Sequence, residues 1–235
     1  MLAEITVGMD TEACLVRKNG EAIDAENYLK EDGSFGCDGR HDTAEIRPRQ
    51  AISLIELTSN VRENILTFDK MFNGEYGILV GHYKHTRPLG GHIHFGFKPG
   101  TPQQREILTK MLNSRFKILR DLFEPEEEIE KRVRTGYGLF KRNSYREQAW
   151  GIEYRPPCSF ILTPETTLLY LAVAKTVLTM FIDSKIKNIR SINTLIKELQ
   201  AYADNESKLA IDYLKKLLEK PSKLNWNENI IPAWK

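Results

Sequence analysis

Cysteine is scarce and badly spaced for a scaffold. The three present, Cys14, Cys37 and Cys158, are an odd number, lie far apart and form no C-x-x-C pair. That argues against a disulfide framework and against a zinc knuckle, and favours a reducing, cytoplasmic compartment. Charge of one sign is also lacking: the formal excess is +2, so a polyanionic partner such as nucleic acid is not required. No long uncharged apolar run occurs. The most apolar stretch, Thr166 to Ile182, is interrupted by Lys175 and preceded by Pro164, and reads as a buried core helix, with no membrane partner implied. The start, MLAEITVGMD, lacks the basic and apolar regions of a signal peptide. No G-x-x-x-x-G-K-[ST] run and no G-x-G-x-x-G fingerprint is present, which excludes a P-loop and the usual dinucleotide cradle.

The chain does have a clear succession of elements. Glu4 to Val16 reads as an opening strand, followed by a glycine-rich stretch around Gly33, Gly36 and Gly39 that reads as a mobile turn. Ala44 to Arg47 is a short strand stopped by Pro48. Leu54, Leu57, Val61, Ile65, Phe68 and Phe72 recur at helical spacing over Ala51 to Phe72. Tyr76 to Tyr83 and His92 to Phe97 read as strands, and Thr101-Pro102 as the start of a helix running to Phe123. An acidic run, Glu124 to Glu130, reads as a solvated face, and a basic stretch, Arg132 to Arg146, follows it. Gly151 to Arg155 is a further strand, and helices follow over about Pro164 to Asp183, Ile189 to Tyr202 and Glu206 to Glu219. The expected class is α+β: a largely antiparallel, curved sheet with helices on one face and a helical C-terminal part. A catalytic domain over residues 1–183 and a packed helical extension over 184–235 are expected. Trp226 and Trp234 are expected to pin that tail.

Four strands carry polar residues at i and i+2: Asp10-Thr11-Glu12, Glu45-Ile46-Arg47, His92-Ile93-His94 and Glu153-Tyr154-Arg155. Side chains two apart share a face of a strand. Such a face is often merely solvated, but Asp is a poor strand former, His-X-His is an unusual surface pair, and glycines flank each motif. If the faces converge, Asp10, Glu12, Glu45 and Glu153 repel one another and call for cations or protons. An oxygen-rich set with few imidazoles suits Mg²⁺, with Mn²⁺ as the alternative, better than zinc. Arg47 and Arg155 then either pair with these acids or grip phosphate oxygens as a fork. Cations and arginines around carboxylates suggest phosphoryl transfer from a nucleotide.

The runs VGMDTE, GCDGRHDTAEIRP, GGHIHFG and WGIEYRPP, in that order, resemble the signature of the amidoligases, in particular the phage-type carboxylate–amine ligases of type 2 within the glutamine synthetase-like fold. The resemblance covers Ile5 to Ser159. It implies an ATP-dependent enzyme that activates a carboxylate as an acyl phosphate and lets an amine displace the phosphate, on substrates of unnamed identity that include peptides or proteins. It implies metal ligands at Asp10, Glu12, Glu45, His92 and Glu153. Asp10, shorter than the Glu of glutamine synthetase itself, would ligate through water. It places His94 and Arg155 near the phosphates, with catalytic roles for Arg155, Glu153 and Arg47, and nucleotide or substrate contacts at Arg134, Tyr137, Arg142 and Arg146. The basic stretch otherwise balances the acidic run, and Arg40 and Arg49 stay open. Cys37 reads as a bystander thiol, His82 and His85 as surface residues, and Lys175 as a snorkelling side chain. Two other readings stand beside the ligase. One is a binuclear metallohydrolase, which wants more imidazole than five histidines readily supply. The other is a nucleotide- or nucleic-acid-binding module without chemistry, using Tyr137, Phe140 and Tyr145 among the basic residues.

Overall fold

A computed structural model describes residues 5–38, 43–81, 88–136, 139–141, 144–219 and 224–235. The sheet contains β1 (Val7–Arg17), β2 (Ala22–Ile23), β3 (Phe35–Cys37), β4 (Ala44–Ile46), β5 (Tyr76–Leu79), β6 (Gly91–Phe95), β7 (Tyr145–Gln148) and β8 (Gly151–Tyr154). The helices are α1 (Leu54–Met71), α2 (Pro102–Phe123), α3 (Glu126–Arg134), α4 (Pro164–Ile182), α5 (Ile192–Tyr202), α6 (Asn205–Glu219) and α7 (Ile231–Trp234). The strand order is β3-β4-β1-β6-β8-β7, with β2 and β5 also paired to β1, and the pairings are antiparallel. The long β1 is the spine. Its first half lies between β4 and β6, and its second half pairs with β2 and β5.

Alternation along each strand divides the sheet into an apolar and a polar face. Met9, Ile46, Ile93, Phe95, Ile152 and Tyr154 are buried in one core with the apolar sides of α1, α2 and α4. Phe116 of α2 packs on Tyr154 with ring centroids 5.2 Å apart, and the Tyr154 hydroxyl donates to Asn113 Oδ1 at 2.9 Å. The helices start where their caps put them. Ser53 accepts the Glu56 N–H, Thr101 and Gln104 form a capping box, and Thr163 accepts the Thr166 N–H. The carboxylate of Glu206 accepts from the Leu54 N–H at 2.7 Å and the Ser53 hydroxyl at 2.6 Å, locking the start of α6 to the start of α1. α4 is long and apolar enough to cross a membrane by composition, but most of it is buried in the core. Lys175 does more than snorkel: its Nζ reaches Asp204 Oδ2 at 2.8 Å and the Ile52 carbonyl at 3.0 Å.

The C-terminal helices belong to the same core, which includes Leu195, Leu199, Ile211, Leu214 and Trp234. Trp226 donates to the Phe123 carbonyl at 3.1 Å and Trp234 to the Ile161 carbonyl at 3.0 Å, so both tryptophans pin the tail as expected.

Three local expectations are corrected. The glycine-rich stretch is not simply a turn, because Phe35–Cys37 pairs with β4 as an edge strand. The acidic run is the first turn of α3. Its glutamates face the positive end of the helix dipole, while Lys131, Arg132 and Arg134 occupy the last turn. The end of the basic stretch is β7, paired with β8.

Candidate active site

The polar face of the sheet gathers the four motifs. Glu12 lies opposite Glu45, Asp10 opposite His92, and His94 opposite Glu153, which in turn faces Arg146 on β7. Tight strand pairing thus places acid beside acid and acid beside imidazole. His92 Nδ1 lies 2.6 Å from Asp10 Oδ1 and 3.6 Å from Glu153 Oε1, and His94 Nε2 lies 3.1 Å from Asp10 Oδ2. Among the described residues, Asp10, Glu45 and His92 can each offer a ligand atom within 4.8 Å of the others.

The electrostatics follow from this crowding. Burial opposes ionisation of Asp10, but His92 and His94 beside it outweigh burial and hold its carboxyl well below the usual carboxylate range. Burial and then the Asp10 carboxylate push Glu45 up to about 7, against the pull of Arg47. Burial raises Glu12 as well. Burial disfavours the His92 imidazolium, yet Asp10 and Glu12 raise its pKa above the ordinary value.

The donor set fits a hard divalent cation. Asp10 Oδ1, His94 Nε2 and Glu153 Oε1 are buried, and their short contacts to one another's neighbours do not meet hydrogen-bond geometry. Carboxylate oxygens with one or two imidazoles suit Mg²⁺ or Mn²⁺. The Asp10 carboxylate sits between both histidines.

The remaining expected residues separate into three groups. Arg155 Nε lies 3.2 Å and Arg146 Nη1 3.5 Å from the Glu153 carboxylate, so both stand at the site. Arg47 stands at the edge of the site and is engaged on two sides. Its guanidinium pairs with Glu45 and donates to the carbonyls of Glu31 at 3.0 Å, Gly33 at 3.2 Å and Cys37 at 3.2 Å. A Cβ at Gly36 would come within 2.6 Å of it, so that glycine makes room for the strap. Arg134 is exposed and pairs with Glu130 on its own helix at 2.8 Å. Arg49 pairs with Glu63 at 3.3 Å. Tyr137, Arg142, Arg40, His82 and His85 lie outside the described residues. Cys37 is buried, and none of the three cysteines forms a disulfide.

Sequence reasoning missed two residues here. Gln148 donates to Glu153 Oε2 at 2.8 Å, leaving Oε1 for the site. Trp150 lies against His94, with ring centroids 4.9 Å apart. Together with Gly8, Asp10, Arg47, Gln50 and His94 it lines an open pocket of about 270 Å³ beside the acids. An exposed tryptophan immediately before a site strand was the available signal.

The chain that carries this cluster matches a described family over residues 7–229: Phage phiEco32-like COOH.NH2 ligase-type 2. The chain belongs to that family. Solved structures agree in fold with this family placement. A bifunctional glutathione synthetase from Pasteurella multocida superposes with a TM-score of 0.56 at 11% identity, covering 96% of this chain and 48% of that one. Pup ligase PafA, in the complex between prokaryotic ubiquitin-like protein Pup and its ligase, gives 0.53 at 11% identity, covering 99% and 62%. A novel glutamine synthase homolog gives 0.50 at 14% identity, covering 95% and 68%. The ligase-family chain therefore spans about half the length of the first of these proteins. No curated protein sequence matches it.

Proposed function

We propose that this chain joins a carboxylate to an amine at the expense of ATP, through an acyl phosphate. The observation that carries this reading is the convergence of four strand motifs on one sheet face, with Arg146 and Arg155 beside Glu153, in a chain of the COOH.NH2 ligase family. A carboxylate oxygen of the donor attacks the γ-phosphorus of ATP, the bond to the β-phosphate oxygen breaks, and ADP leaves. The amine nitrogen then attacks the acyl carbon, phosphate departs with the bonding pair, and the nitrogen loses a proton. Mg²⁺, held by Asp10, Glu12, Glu45, His92 and Glu153, would supply charge neutralisation at the phosphate oxygens.

The chain's own residues do the rest. Gln148, Arg146 and Arg155 fix the Glu153 carboxylate. Arg155 and Arg146 are only partly buried, so their forks remain available to the oxygens of the transferred phosphoryl group. His94, clamped between Asp10 and Trp150, borders the pocket where the reacting groups meet. Arg47 serves as a positioning residue that holds Glu45 and the loop before β3. The pocket is open to solvent, so a donor or acceptor carried on a peptide or protein segment has access to it as well as a small molecule. The cysteines, all buried, suit a cytoplasmic setting.

The test supplies ATP, Mg²⁺ and a mixed pool of carboxylates and amines, and follows ADP release and product mass. ADP should form only when both partner classes are present, with a product lighter by one water than their sum. Glu153→Gln should lose at least about 100-fold in rate. Unchanged ligation by that variant would overturn the assignment.

A further inference from the structure

Arg132 lies in the basic stretch, yet it is not part of a solvated loop. It is almost fully buried on the inner side of α3. Its guanidinium donates to backbone carbonyls of two separate segments: Leu89 on one side, and Pro156 at 2.7 Å and Pro157 at 2.9 Å on the other. Both segments need such an anchor. Gly90 and Gly91 have no side chains of their own to fix them, and Pro156 and Pro157 offer no N–H with which to continue the β6–β8 ladder. Carbonyl oxygens are what the proline segment has left to be held by. Pro157 also accepts the Gly91 N–H at 2.9 Å, so the two segments are tied directly as well as through Arg132.

What they hold is Glu12. The Gly90 N–H donates to Glu12 Oε2 at 2.6 Å, and the Gly90 carbonyl accepts the Glu12 N–H at 2.8 Å. A Cβ at Gly90 would stand 3.4 Å from Glu12 Oε2 and 3.2 Å from His92 Nε2, so this glycine sits against both. A Cβ at Gly91 would meet the Cys158 carbonyl at 2.3 Å. The path from α3 to the acid cluster is therefore short and made of hydrogen bonds: Arg132, the Leu89–Gly91 backbone, Glu12.

We propose that Arg132 is a positioning residue for the candidate metal ligand Glu12, acting through the backbone of Leu89–Gly91 and the paired prolines. This rests on the metal-cluster part of the proposed function and needs no turnover to be tested. Mn²⁺ serves as the probe, with binding followed by electron paramagnetic resonance in the unaltered chain, Arg132→Lys, Glu12→Gln and the double variant. Lysine keeps the charge but cannot fork across both segments. Arg132→Lys should weaken Mn²⁺ binding about 10- to 100-fold, the size typical of outer-shell partners of metal ligands. In the Glu12→Gln background the same change should weaken it less than about 2-fold, because the group being positioned is gone. Unchanged affinity in Arg132→Lys, or an equal loss in both backgrounds, would overturn the proposal. Failure of the unaltered chain to bind Mn²⁺ would overturn the metal cluster itself. If Arg132→Lys does not fold, amide exchange in the unaltered chain decides. The Gly90 amide, which lies outside β6 and donates to Glu12, should be as protected as those of the β1–β6 ladder, and loop-like exchange there would refute the anchor.

Discussion

Glu45 offers a direct test of how the acid cluster is balanced. Its carboxyl is pushed up to about 7 from an ordinary 4.5 by burial and by Asp10. A raised acid favours the folded state while it is protonated. That contribution is fully present below the unfolded value, 4.5, and is lost as pH rises through 7. The difference, 7 − 4.5 = 2.5, corresponds to a ceiling of about 3 kcal/mol between pH 4.5 and pH 8. Glu12 and His92, both raised, change stability in the same direction, so the unaltered chain alone does not isolate Glu45. Asp10, held below its ordinary 3.8, loses its contribution only under more acid conditions. The comparison is therefore urea unfolding of the metal-free chain against Glu45→Gln from pH 5 to pH 8. Glutamine mimics the protonated acid, so the variant should gain on the unaltered chain by about 2–3 kcal/mol across that window. A cation does the same work as the proton. Mg²⁺ should restore more stability at pH 8 than at pH 5, and its binding near pH 6 should release a proton, read calorimetrically in buffers of different ionisation enthalpy. A gap between the two proteins that stays constant over the whole window would refute the argument.

Three further outcomes follow from the geometry. Arg115 is fully buried and forks onto Glu198 at 2.8 and 3.0 Å, with a third bond to the Lys187 carbonyl at 2.6 Å. Glu198→Ala should cost about 3–5 kcal/mol in chemical unfolding, and Arg115→Met with Glu198→Leu should recover much of that loss. Trp150 is 44% exposed and lies tilted against the His94 ring, so Trp150→Ala should leave the melting temperature nearly unchanged while weakening substrate binding by about 1 kcal/mol, seen as a raised KM. Gly91→Ala, with its Cβ 2.3 Å from the Cys158 carbonyl, should separate β6 from the proline segment and lower Mn²⁺ affinity along with stability.

The site's acids and histidines were legible because a strand's alternation is local. Asp10 and Glu12, or His92 and His94, share a face whatever the rest of the chain does. That the faces converge depends on strand order, which periodicity does not encode, and the reaction came from resemblance. The losses have equally definite causes. Tyr145–Gln148 has no alternating pattern, and only pairing with β8 makes it a strand and brings Gln148 to Glu153. EEEIEKRVR reads as solvated, so the burial of Arg132 arises from tertiary packing alone. Arg47 obeys the spacing rule and pairs with Glu45, but its three carbonyl partners come from the folding of residues 31–37 over it, which spacing does not encode.

The polar face of β1 also indicates from which end substrates approach. Gly8, Asp10, Glu12, Cys14 and Val16 lie along one face, and their character changes along the strand. Cys14 and Val16 are buried with Leu79 and Leu89 in a small second core. That core closes the acid cluster beyond Glu12, and it is Leu89 within it that Arg132 holds by the carbonyl. At the other end Gly8 has no side chain, Gly96 continues the space, and the pocket under Trp150 opens. Among the described residues, the acid cluster is walled at one end and open at the other. In the proposed reaction, groups would come in past Trp150, over His94, and meet Asp10 before Glu12. Asp10, which lines the open pocket, would then be the acid nearer the reacting groups. The two acids also differ in their electrostatics: burial raises Glu12, while Asp10, also opposed by burial but flanked by two imidazoles, is held well below the usual carboxylate range.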